Sequence, residues 1–322
     1  MVKRYPGRDR SAVEHLSLEV VPGEICVLIG PSGCGKTTAL KMINRLIPIT
    51  AGDISIDGRS ITTLPLTELR RGIGYVFQQI GLFPHLTVES NIGSVPKLLG
   101  WSKGRIRSRA AELLELVGLD PSGDLRRYPG EFSGGQQQRI GVARAMAADP
   151  PIMLMDEPFG AVDPIARERL QNDFLRLHRE VRKTVIFVTH DIDEAIKMGD
   201  RIAIMREGRL VQLAKADELL ANPADEFVAS FVGEDRGLKR LRVHTLRDIE
   251  LDPPRDRGAA DVVALGDSLH LALSRLMAAG SDRIEVVDDD GAPAGSASLE
   301  RIAAMVASRS ERVGEGSPDR SS

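Results

Sequence analysis

The nine residues GPSGCGKTT, from Gly30 to Thr38, constrain the fold more than any other stretch of this 322-residue chain. They follow the apolar run ICVLI and precede ALKMINRLI, whose apolar residues recur at helical spacing. Glycines let a backbone turn tightly with its N–H groups pointing inward, and a helix that starts there directs its positive dipole end at the same point. The sequence therefore predicts a strand, an anion-binding loop and a helix in direct succession.

This loop fits the phosphate-binding pattern G-x-x-x-x-G-K-[ST]. We expect Lys36 to neutralise the β- and γ-phosphates of ATP and the Thr37 hydroxyl to coordinate Mg²⁺. Thr38 follows directly, and the matching residues are Gly30, Pro31, Ser32, Gly33, Cys34, Gly35, Lys36 and Thr37.

The bulk composition excludes several classes of protein. A formal net charge of -3 and an isoelectric point near 6.1 give no global basic field, which argues against binding of nucleic acid. Only Cys26 and Cys34 occur, too few for a disulfide framework, so we expect a reducing compartment. No apolar run reaches the length of about 18 residues that a membrane span needs, and we expect the chain to be neither exported nor membrane-spanning by itself.

Short β-branched-rich runs alternate with helical patterns along the first two thirds of the chain. Strands that are apolar on both faces and alternate with helices indicate a mostly parallel sheet covered on both sides. We therefore predict an α/β fold, with a helical insertion at about residues 87–129. The predicted strands contain ICVLI, DISIDG, IGYVF, PIMLM, TVIFVT and RIAIM.

Acidic and imidazole side chains follow two of these predicted strands. PIMLMDEP places Asp156 and Glu157 at the end of one strand, and TVIFVTHD places His190 after another. Carboxyl ends of parallel strands gather at one edge of a sheet, so these groups are expected to converge near the phosphate loop. Asp156 would hold Mg²⁺ through its water shell, and Glu157 would accept the proton of an attacking water.

A second phosphate-binding helix start is predicted at FSGGQQQR. Ser133 and two glycines open this helix, leaving unsatisfied N–H groups and a hydroxyl at its positive end. With GPSGCGKTT, YVFQQ, IMLMDEP, AVD and VTHD, this stretch makes an ordered set of six motifs over roughly residues 2–235. The set resembles the ATPase subunit of ABC transporters.

The resemblance implies a dimer. In that family two ATPase subunits pair head to tail and enclose two ATP molecules, each held by the phosphate loop of one subunit and the SGGQ helix of the other. The helix begins after Phe132, where the family usually has leucine, an apolar exchange that leaves the anion contacts unchanged. The resemblance implies that the residues contacting the γ-phosphate at the partner's Lys36 are Ser133, Gly134, Gly135 and Gln136.

Four further roles follow from the same resemblance. Gln78 matches the glutamine that reaches the metal and the attacking water, and His190 matches the histidine that holds the γ-phosphate. Asp163 matches the aspartate of the loop that crosses the dimer. Tyr5, in KRYPG, matches the aromatic residue that stacks on adenine; the family usually has a short strand before this stretch, and here only Met1 and Val2 precede Lys3.

One subgroup is closer than the others. The stretches QQIGLFPHLTVESNIGSVPKLLGW and FVGEDRG resemble ATPases of importers for quaternary amines: glycine betaine, choline or carnitine. The resemblance implies peripheral attachment to the cytoplasmic face of the membrane. It also implies contact with permease subunits through the region Gln78–Val88, and an external substrate-binding protein that acts only indirectly.

The domain organisation is predicted as an ATPase domain at 1–237, a linker at 238–260, a small α+β unit at 261–310 and a disordered tail at 311–322. The small unit resembles one CBS motif, a β-α-β-β-α module that usually works in pairs. Because a lone copy exposes the face that it would bury, we expect pairing across the ATPase dimer. A packing appendage without a ligand is an equally weighted alternative.

Three other functions stay open from the sequence. The first is an ABC importer ATPase for another solute, such as an amino acid or a polyamine. The second is a soluble ABC ATPase that acts on DNA or the ribosome, although this chain has neither long coiled coils nor a second cassette. The third is a nucleotide sensor in which the CBS-like unit dominates and hydrolysis is secondary.

Overall fold

The computed structural model describes residues 1–7, 9–78, 81–160, 162–253 and 262–307. The chain divides into two compact units, Met1–Leu213 and Ala214–Ser322. The division lies before the predicted boundary at residue 237. The physical reason is that the helix Ala216–Ala221 packs on the helix Arg236–Val243, which in turn contacts the helices Leu269–Ala279 and Leu299–Ala307.

The first unit is built on a six-stranded sheet in the order β4-β5-β6-β1-β7-β8. The pairs β4/β5, β5/β6, β6/β1 and β1/β7 are all parallel, as the alternation of strands and helices predicted. A separate two-stranded antiparallel ladder joins β2 and β3, so the predicted strand DISIDG is strand only at two residues. The strands are β1 (Ile25–Ile29), β2 (Ser55–Ile56), β3 (Arg59–Ser60), β4 (Ile73–Val76), β5 (Ile152–Asp156), β6 (Thr184–Val188), β7 (Arg201–Arg206) and β8 (Arg209–Ala214).

The core of this unit follows from the apolar strand sequences. All five residues of β1 are buried, and side chains of β5 and β6 pack with those of the helix that follows the phosphate loop. Val2 and Lys3 form isolated bridges with Ala51 and Val13 at the amino-terminal end. The helices around the sheet are α1 (Lys36–Ile43), α2 (Leu66–Arg71), α8 (Pro164–Val181) and α9 (Ile192–Met198).

Helices fill the stretch in which the sequence predicted an insertion. Thr87, Ser102 and Asp120 each cap a helix start by accepting a hydrogen bond from a backbone N–H of the first turn, which fixes where these helices begin. A 3-10 turn at Pro129–Glu131 leads into the next helix, which packs on α3, α5 and β4. The helices are α3 (Val88–Ile92), α4 (Ser94–Leu98), α5 (Lys103–Leu116), α6 (Pro121–Asp124) and α7 (Gly134–Met146).

The second unit contains a three-stranded sheet in the order β11-β10-β9, with β9 and β10 parallel and β10 and β11 antiparallel. From β9 onward the element order is β-α-β-β-α, which is the order that the resemblance to a CBS motif implied for this segment. Its elements are α10 (Ala216–Ala221), α11 (Glu226–Val232), α12 (Arg236–Val243), a 3-10 turn (Leu246–Asp248), β9 (Val262–Ala264), α13 (Leu269–Ala279), β10 (Arg283–Val287), β11 (Pro293–Ser298) and α14 (Leu299–Ala307).

The prediction of a linker at 238–260 is wrong at residues 238–243, which are helical. Residues 238–243 belong to α12, and Leu241 and Leu246 are buried in the same apolar cluster as Val263 and Leu276. These leucines stand among charged residues, so composition indicated a linker while burial of two apolar side chains produced a packed helix and turn. Residues 254–260 of the linker, residues 261 and 308–310 of the CBS-like segment and the predicted disordered tail at 311–322 lie outside the described residues.

Candidate functional site

The loop after β1 is held in a shape that only glycine permits at two positions. Gly30 has φ 152° and Gly35 has φ 106°, both outside the range that side-chain-bearing residues normally adopt. A Cβ atom added at Gly30 would lie 2.1 Å from the carbonyl oxygen of Met205, and one at Gly35 would lie 2.4 Å from that of Ala12. At these two glycines the loop therefore packs its backbone directly against the backbone of Met205 and Ala12.

Lys36 starts α1 and closes the loop. Gly35 caps this helix without a side chain, so the N–H groups of the first turn remain available to an anion. The Lys36 side chain is buried, and its Nζ donates to the carbonyl oxygens of Gly30 at 2.6 Å and Pro31 at 3.1 Å. A positive charge and a helix amino terminus are thus directed at one concave backbone segment, which suits a polyphosphate.

Asp156 ends β5 beside this helix. The Thr37 hydroxyl donates to Asp156 Oδ1 at 3.0 Å, and Asp156 is almost fully buried. Burial raises the pKa of Asp156; the Thr37 hydrogen bond works in the opposite direction, and the nearby Glu157 charge raises the pKa further. A hydroxyl and a carboxylate oxygen side by side are ligands of the kind that Mg²⁺ prefers, so these residues fit a magnesium ion.

Glu157 lies between residues that follow two other strands of the sheet. Its Oε1 lies 3.2 Å from His190 Nδ1, and its Oε2 accepts a hydrogen bond from Gln78 Nε2 at 3.2 Å. Gln78 follows β4, Glu157 follows β5 and His190 follows β6. Glu157 itself has φ 48°, a strained value for a non-glycine residue, and its N–H donates to the carbonyl oxygen of Val188 at 2.9 Å. The convergence predicted from the sequence is therefore present.

The second predicted phosphate-binding segment, from Ser133 to Gln136, lies at the start of α7. Ser133 Oγ accepts from the Gln136 N–H at 3.3 Å, and Gln136 Oε1 accepts from the Ser133 N–H at 3.0 Å. Gly134 is exposed, while Gly135 and Gln136 are half-buried. The hydrogen bonds found for Ser133 in the described part of the chain are all within its own helix start, so one copy of the chain does not join this serine to the phosphate loop.

Asp163 and Tyr5 have local partners. Asp163 caps α8 by accepting from the Ala166 N–H at 3.0 Å, and Pro164 occupies the first helical position. Tyr5 is half-buried, and Lys3 Nζ lies 5.0 Å from the centroid of its ring. A cation at this distance interacts favourably with the face of an aromatic ring. The stacking of Tyr5 on adenine stays a prediction.

The buried side-chain amide of Asn91 holds part of the predicted permease-facing region Gln78–Val88. Asn91 Oδ1 accepts from the Phe83 N–H at 2.8 Å, and Asn91 Nδ2 donates to the carbonyl oxygens of Phe83 and Leu86. The Phe83 side chain stays 46% exposed, so an apolar ring projects from a fixed loop. Gln79 and Ile80 in this region lie outside the described residues.

Two groups near the site were missed from the sequence. Lys41 lies one helical turn after Thr37, and its charge lowers the pKa of Asp156. The helical spacing of four residues from Thr37 was the available signal. The Tyr75 hydroxyl is buried and has no hydrogen-bond partner among the residues that the structure describes, and burial together with the Asp156 charge raises the pKa of Tyr75. No sequence signal distinguishes this tyrosine from an ordinary core residue.

Comparison with known proteins identifies the family. The family described as "ABC transporter" matches residues 13–160. The osmoprotectant import ATP-binding protein OsmV of Salmonella typhimurium is 55% identical over 90% of this chain and 74% of its own length. The glycine betaine uptake system ATP-binding protein YehX of Escherichia coli is 46% identical over 89% of this chain and 92% of its own length.

Solved structures agree with this result. The dimeric structure of MJ0796, a bacterial ABC transporter cassette, is 37% identical with a TM-score of 0.62, covering 66% of this chain and 95% of that one. A dimeric post-hydrolysis state of the same cassette, bound to ADP and Pi, has a TM-score of 0.61. The chain belongs to the ABC transporter family. It is an ATP-binding subunit of that family, and such subunits hydrolyse ATP to power transport.

Within the described ranges of the chain, none of the helices combines the length and the apolar character that crossing a bilayer requires.

Replacing Asp156 by Asn is expected to stabilise the chain in the absence of nucleotide and Mg²⁺. Because burial raises the pKa of Asp156, the folded state disfavours its ionised form, and folding stability falls as pH rises through the usual carboxyl range. The gain of the variant in free energy of unfolding should be present at pH 7.5 and shrink towards pH of about 4, where an aspartate is ordinarily half-protonated. Denaturant titrations at both pH values measure it.

The exposed Asp9→Asn substitution is the control, since it removes the same charge without relieving burial. The Asp156 variant should also lose the additional thermal stabilisation that Mg²⁺ gives to the ATP-bound chain. Lower stability of Asp156→Asn at pH 7.5 would contradict this account of the site.

Proposed function

We propose that this chain is the ATP-hydrolysing subunit of an importer for quaternary amines, and that it works as a head-to-tail dimer at the cytoplasmic face of the membrane. The observation that carries the catalytic part is the position of Glu157. It follows Asp156 directly, contacts both Gln78 and His190, and stands beside the helix that begins at Lys36.

The residues of the site have different proposed roles in ATP hydrolysis. The N–H groups from Gly33 to Thr38 and the Lys36 ammonium bind the phosphates, and Glu157 accepts a proton from the attacking water. Gln78 donates a hydrogen bond to Glu157 Oε2, and His190 Nδ1 lies 3.2 Å from Glu157 Oε1, so each carboxylate oxygen has one polar neighbour that restricts its orientation. Thr37, Asp156 and Gln78 would hold Mg²⁺, which when bound neutralises charge on the β- and γ-phosphates.

The second half of each nucleotide site is proposed to come from another copy of the chain. Ser133, Gly134, Gly135 and Gln136 form a helix start at which Ser133 and Gly134 are exposed, and the positive end of this helix suits the γ-phosphate bound by the partner's Lys36. Asp163 lies at the exposed start of α8 and would cross the same interface, while Tyr5 would stack on adenine. The dimeric state of the similar cassette structures supports this arrangement.

Glu157→Gln should stop turnover while leaving ATP binding intact. The amide keeps the shape and the contact to His190 but has no proton-accepting oxygen pair, so the rate of ATP hydrolysis should fall at least about 100-fold. Nucleotide should then accumulate in a trapped dimer, which light scattering detects in the presence of ATP and Mg²⁺. Hydrolysis by the variant at a near wild-type rate would falsify the role given to Glu157.

Two control variants separate chemistry from binding. Glu180→Gln changes an exposed glutamate of α8 and should leave both measurements unchanged. Lys36→Ala removes a charge-assisted contact to phosphate, so ATP affinity should weaken by about tenfold or more. Tight ATP binding by the Lys36 variant would count against the phosphate-loop assignment.

The solute class rests on the relatives. Besides the two proteins above, the choline transport ATP-binding protein OpuBA of Bacillus subtilis is 56% identical over 73% of this chain and 61% of its own length. The names of these relatives refer to glycine betaine, choline and osmoprotectants. This chain is proposed to drive uptake of the same class of amine by contacting permease subunits through the region Gln78–Val88, while an external substrate-binding protein supplies the solute.

An uptake experiment tests the solute class. The chain is co-purified with its membrane partners, reconstituted in vesicles, and supplied with labelled glycine betaine, choline or carnitine together with the external binding protein. We expect ATP-dependent accumulation of at least one of these amines and none in vesicles that carry the Glu157→Gln variant. Accumulation of a labelled amino acid or polyamine instead would show that the chain belongs to an importer of another solute class.

The segment from β9 to α14 is proposed to be a single CBS-like unit that pairs with its counterpart in a second copy. Its β-α-β-β-α order supports this, and so does the exposure of apolar side chains on its surface. Met277 of α13 is 74% exposed and Leu271 is 36% exposed, a degree of apolar exposure that a paired face would cover.

Met277→Lys should weaken self-association of the chain without nucleotide. A lysine is well solvated on the exposed α13 surface but is costly to bury in a pair, so the dimer fraction in sedimentation should fall. Leu98→Lys is the matched control, because Leu98 of α4 is 69% exposed and lies in the first unit. Equal dimer fractions for wild type and the Met277 variant would contradict pairing through this surface.

A further inference from the structure

Arg127 is a half-buried arginine to which the proposed hydrolysis assigns no role. It lies between α6 and the 3-10 turn Pro129–Glu131, just before residues 133–136, which are proposed to bind the γ-phosphate of a second copy. Its side chain contacts groups on both sides of that turn. These contacts therefore bear on how the start of α7 is held.

The guanidinium of Arg127 ties the 3-10 turn to α6. Its Nη1 donates to Asp124 Oδ1 at 2.7 Å, and Asp124 is a buried carboxylate at the end of α6. Its Nη2 donates to the carbonyl oxygen of Glu131, the last residue of the turn, at 2.5 Å. A guanidinium presents its donors in a rigid planar fork, so the two bonds fix the positions of both acceptors relative to each other.

The same guanidinium packs on the ring of Phe132. Arg127 Cζ lies 4.2 Å from the ring centroid, and Phe132 is buried. An aromatic face attracts such a cation, whereas the leucine that the family usually has at this position offers no ring. Phe132 directly precedes Ser133, and its carbonyl oxygen accepts from Gln137 Nε2 of α7 at 3.0 Å. Arg127 therefore contacts the residue from which the start of α7 continues.

The backbone around Arg127 is itself fixed. The carbonyl oxygen of Arg127 accepts from the Val88 N–H at 2.9 Å, and that of Leu125 accepts from the Glu89 N–H at 2.9 Å. Both donors belong to the first turn of α3, which packs on α7. A side chain can orient its neighbours only when its own backbone is held, and these bonds hold it.

We propose that Arg127 is a positioning residue for the second half of the nucleotide site. Its guanidinium holds residues 133–136 in the one orientation that meets the γ-phosphate bound by another copy of the chain, so that no binding free energy is lost in ordering them. This inference rests on the proposed function. Arg127 touches no phosphate itself and acts through the start of α7.

ADP and ATP separate the two halves of the site. ADP lacks the γ-phosphate, so its affinity depends on the phosphate loop and not on residues 133–136 of another copy. Dimerisation driven by ATP depends on both. The parent protein is the full chain with Glu157→Gln, in which ATP is not consumed. Light scattering with Mg²⁺ gives the ATP concentration at half-maximal dimerisation, and calorimetry gives the Kd for ADP.

Arg127→Gln in this parent should weaken dimerisation but not ADP binding. The half-maximal ATP concentration should rise at least about tenfold, because charge-assisted hydrogen bonds and the ring contact are lost together. The Kd for ADP should change less than about twofold, since the phosphate loop is untouched. Arg126→Gln is the matched control: it removes the same charge from the exposed neighbouring residue and should leave both values within about twofold of the parent.

A double-variant cycle separates positioning from general destabilisation. Ser133→Ala in the same parent removes the hydroxyl that Arg127 would hold in place, so it should weaken dimerisation by itself. Adding Arg127→Gln should then raise the half-maximal ATP concentration by less than about threefold, whereas independent losses would multiply. A side chain that only supported the fold would lower the melting temperature and give losses that multiply.

Three results would overturn the inference: a half-maximal ATP concentration for Arg127→Gln within about threefold of the parent, an ADP affinity that falls as far as dimerisation does, or losses that multiply with those of Ser133→Ala. If Arg127→Gln does not fold, Arg127→Lys decides. Lysine keeps the charge but lacks the planar fork, so a shift of at least about threefold is expected and a smaller one would overturn the inference.

The proposed function is judged separately, by the parent alone. Failure of the Glu157→Gln chain to dimerise with ATP and Mg²⁺ would contradict the head-to-tail dimer. A parent that dimerises, with an Arg127→Gln variant that dimerises equally well, would leave the proposed function intact and remove only the role given to Arg127.

Discussion

Hydrogen bonding between parallel strands brings Gln78, Glu157 and His190 together at one edge of the sheet in the first unit. β5 pairs with β6 so that Asp156 lies opposite Val188, and β4 pairs with β5 so that Val76 lies opposite Met155. The residues that follow these strands, Gln78, Glu157 and His190, are therefore neighbours. A shift of one residue in either register would turn alternate side chains to the opposite face and separate them.

Two buried carboxylates are a second feature of the first unit. Asp156 and Glu194 are both carboxylates inside the first unit, and burial raises the pKa of each. Their compensating partners differ, however. Asp156 accepts a hydrogen bond from Thr37, a proposed magnesium ligand, whereas Glu194 of α9 accepts one from Gln171 of α8. The first arrangement suits ligand binding, and the second suits a fixed connection between segments.

Much of the site was predictable, but its contacts were not. The phosphate loop, the acid pair and His190 were recognisable because each is a short run of residues with a fixed relation to a strand or helix. The partners of Glu157 were only expected to be near, and the two 3.2 Å contacts emerged from the folded chain. Glu194 gave no signal, since its partner Gln171 lies on another helix. The linker prediction failed at Leu241 and Leu246 because their burial depends on distant residues.

The sequence by itself determined the anion cradle: its glycines, its lysine and the helix start are contiguous, so local backbone sterics and the helix dipole specify the binding chemistry. Helix caps such as Ser133 and Asp163 were also local in origin. Only the tertiary structure decided which carboxylates are buried, which donors face them, and where the two units divide. Those properties depend on strand pairing and on packing between residues far apart in the chain, whose energies no short stretch of sequence contains.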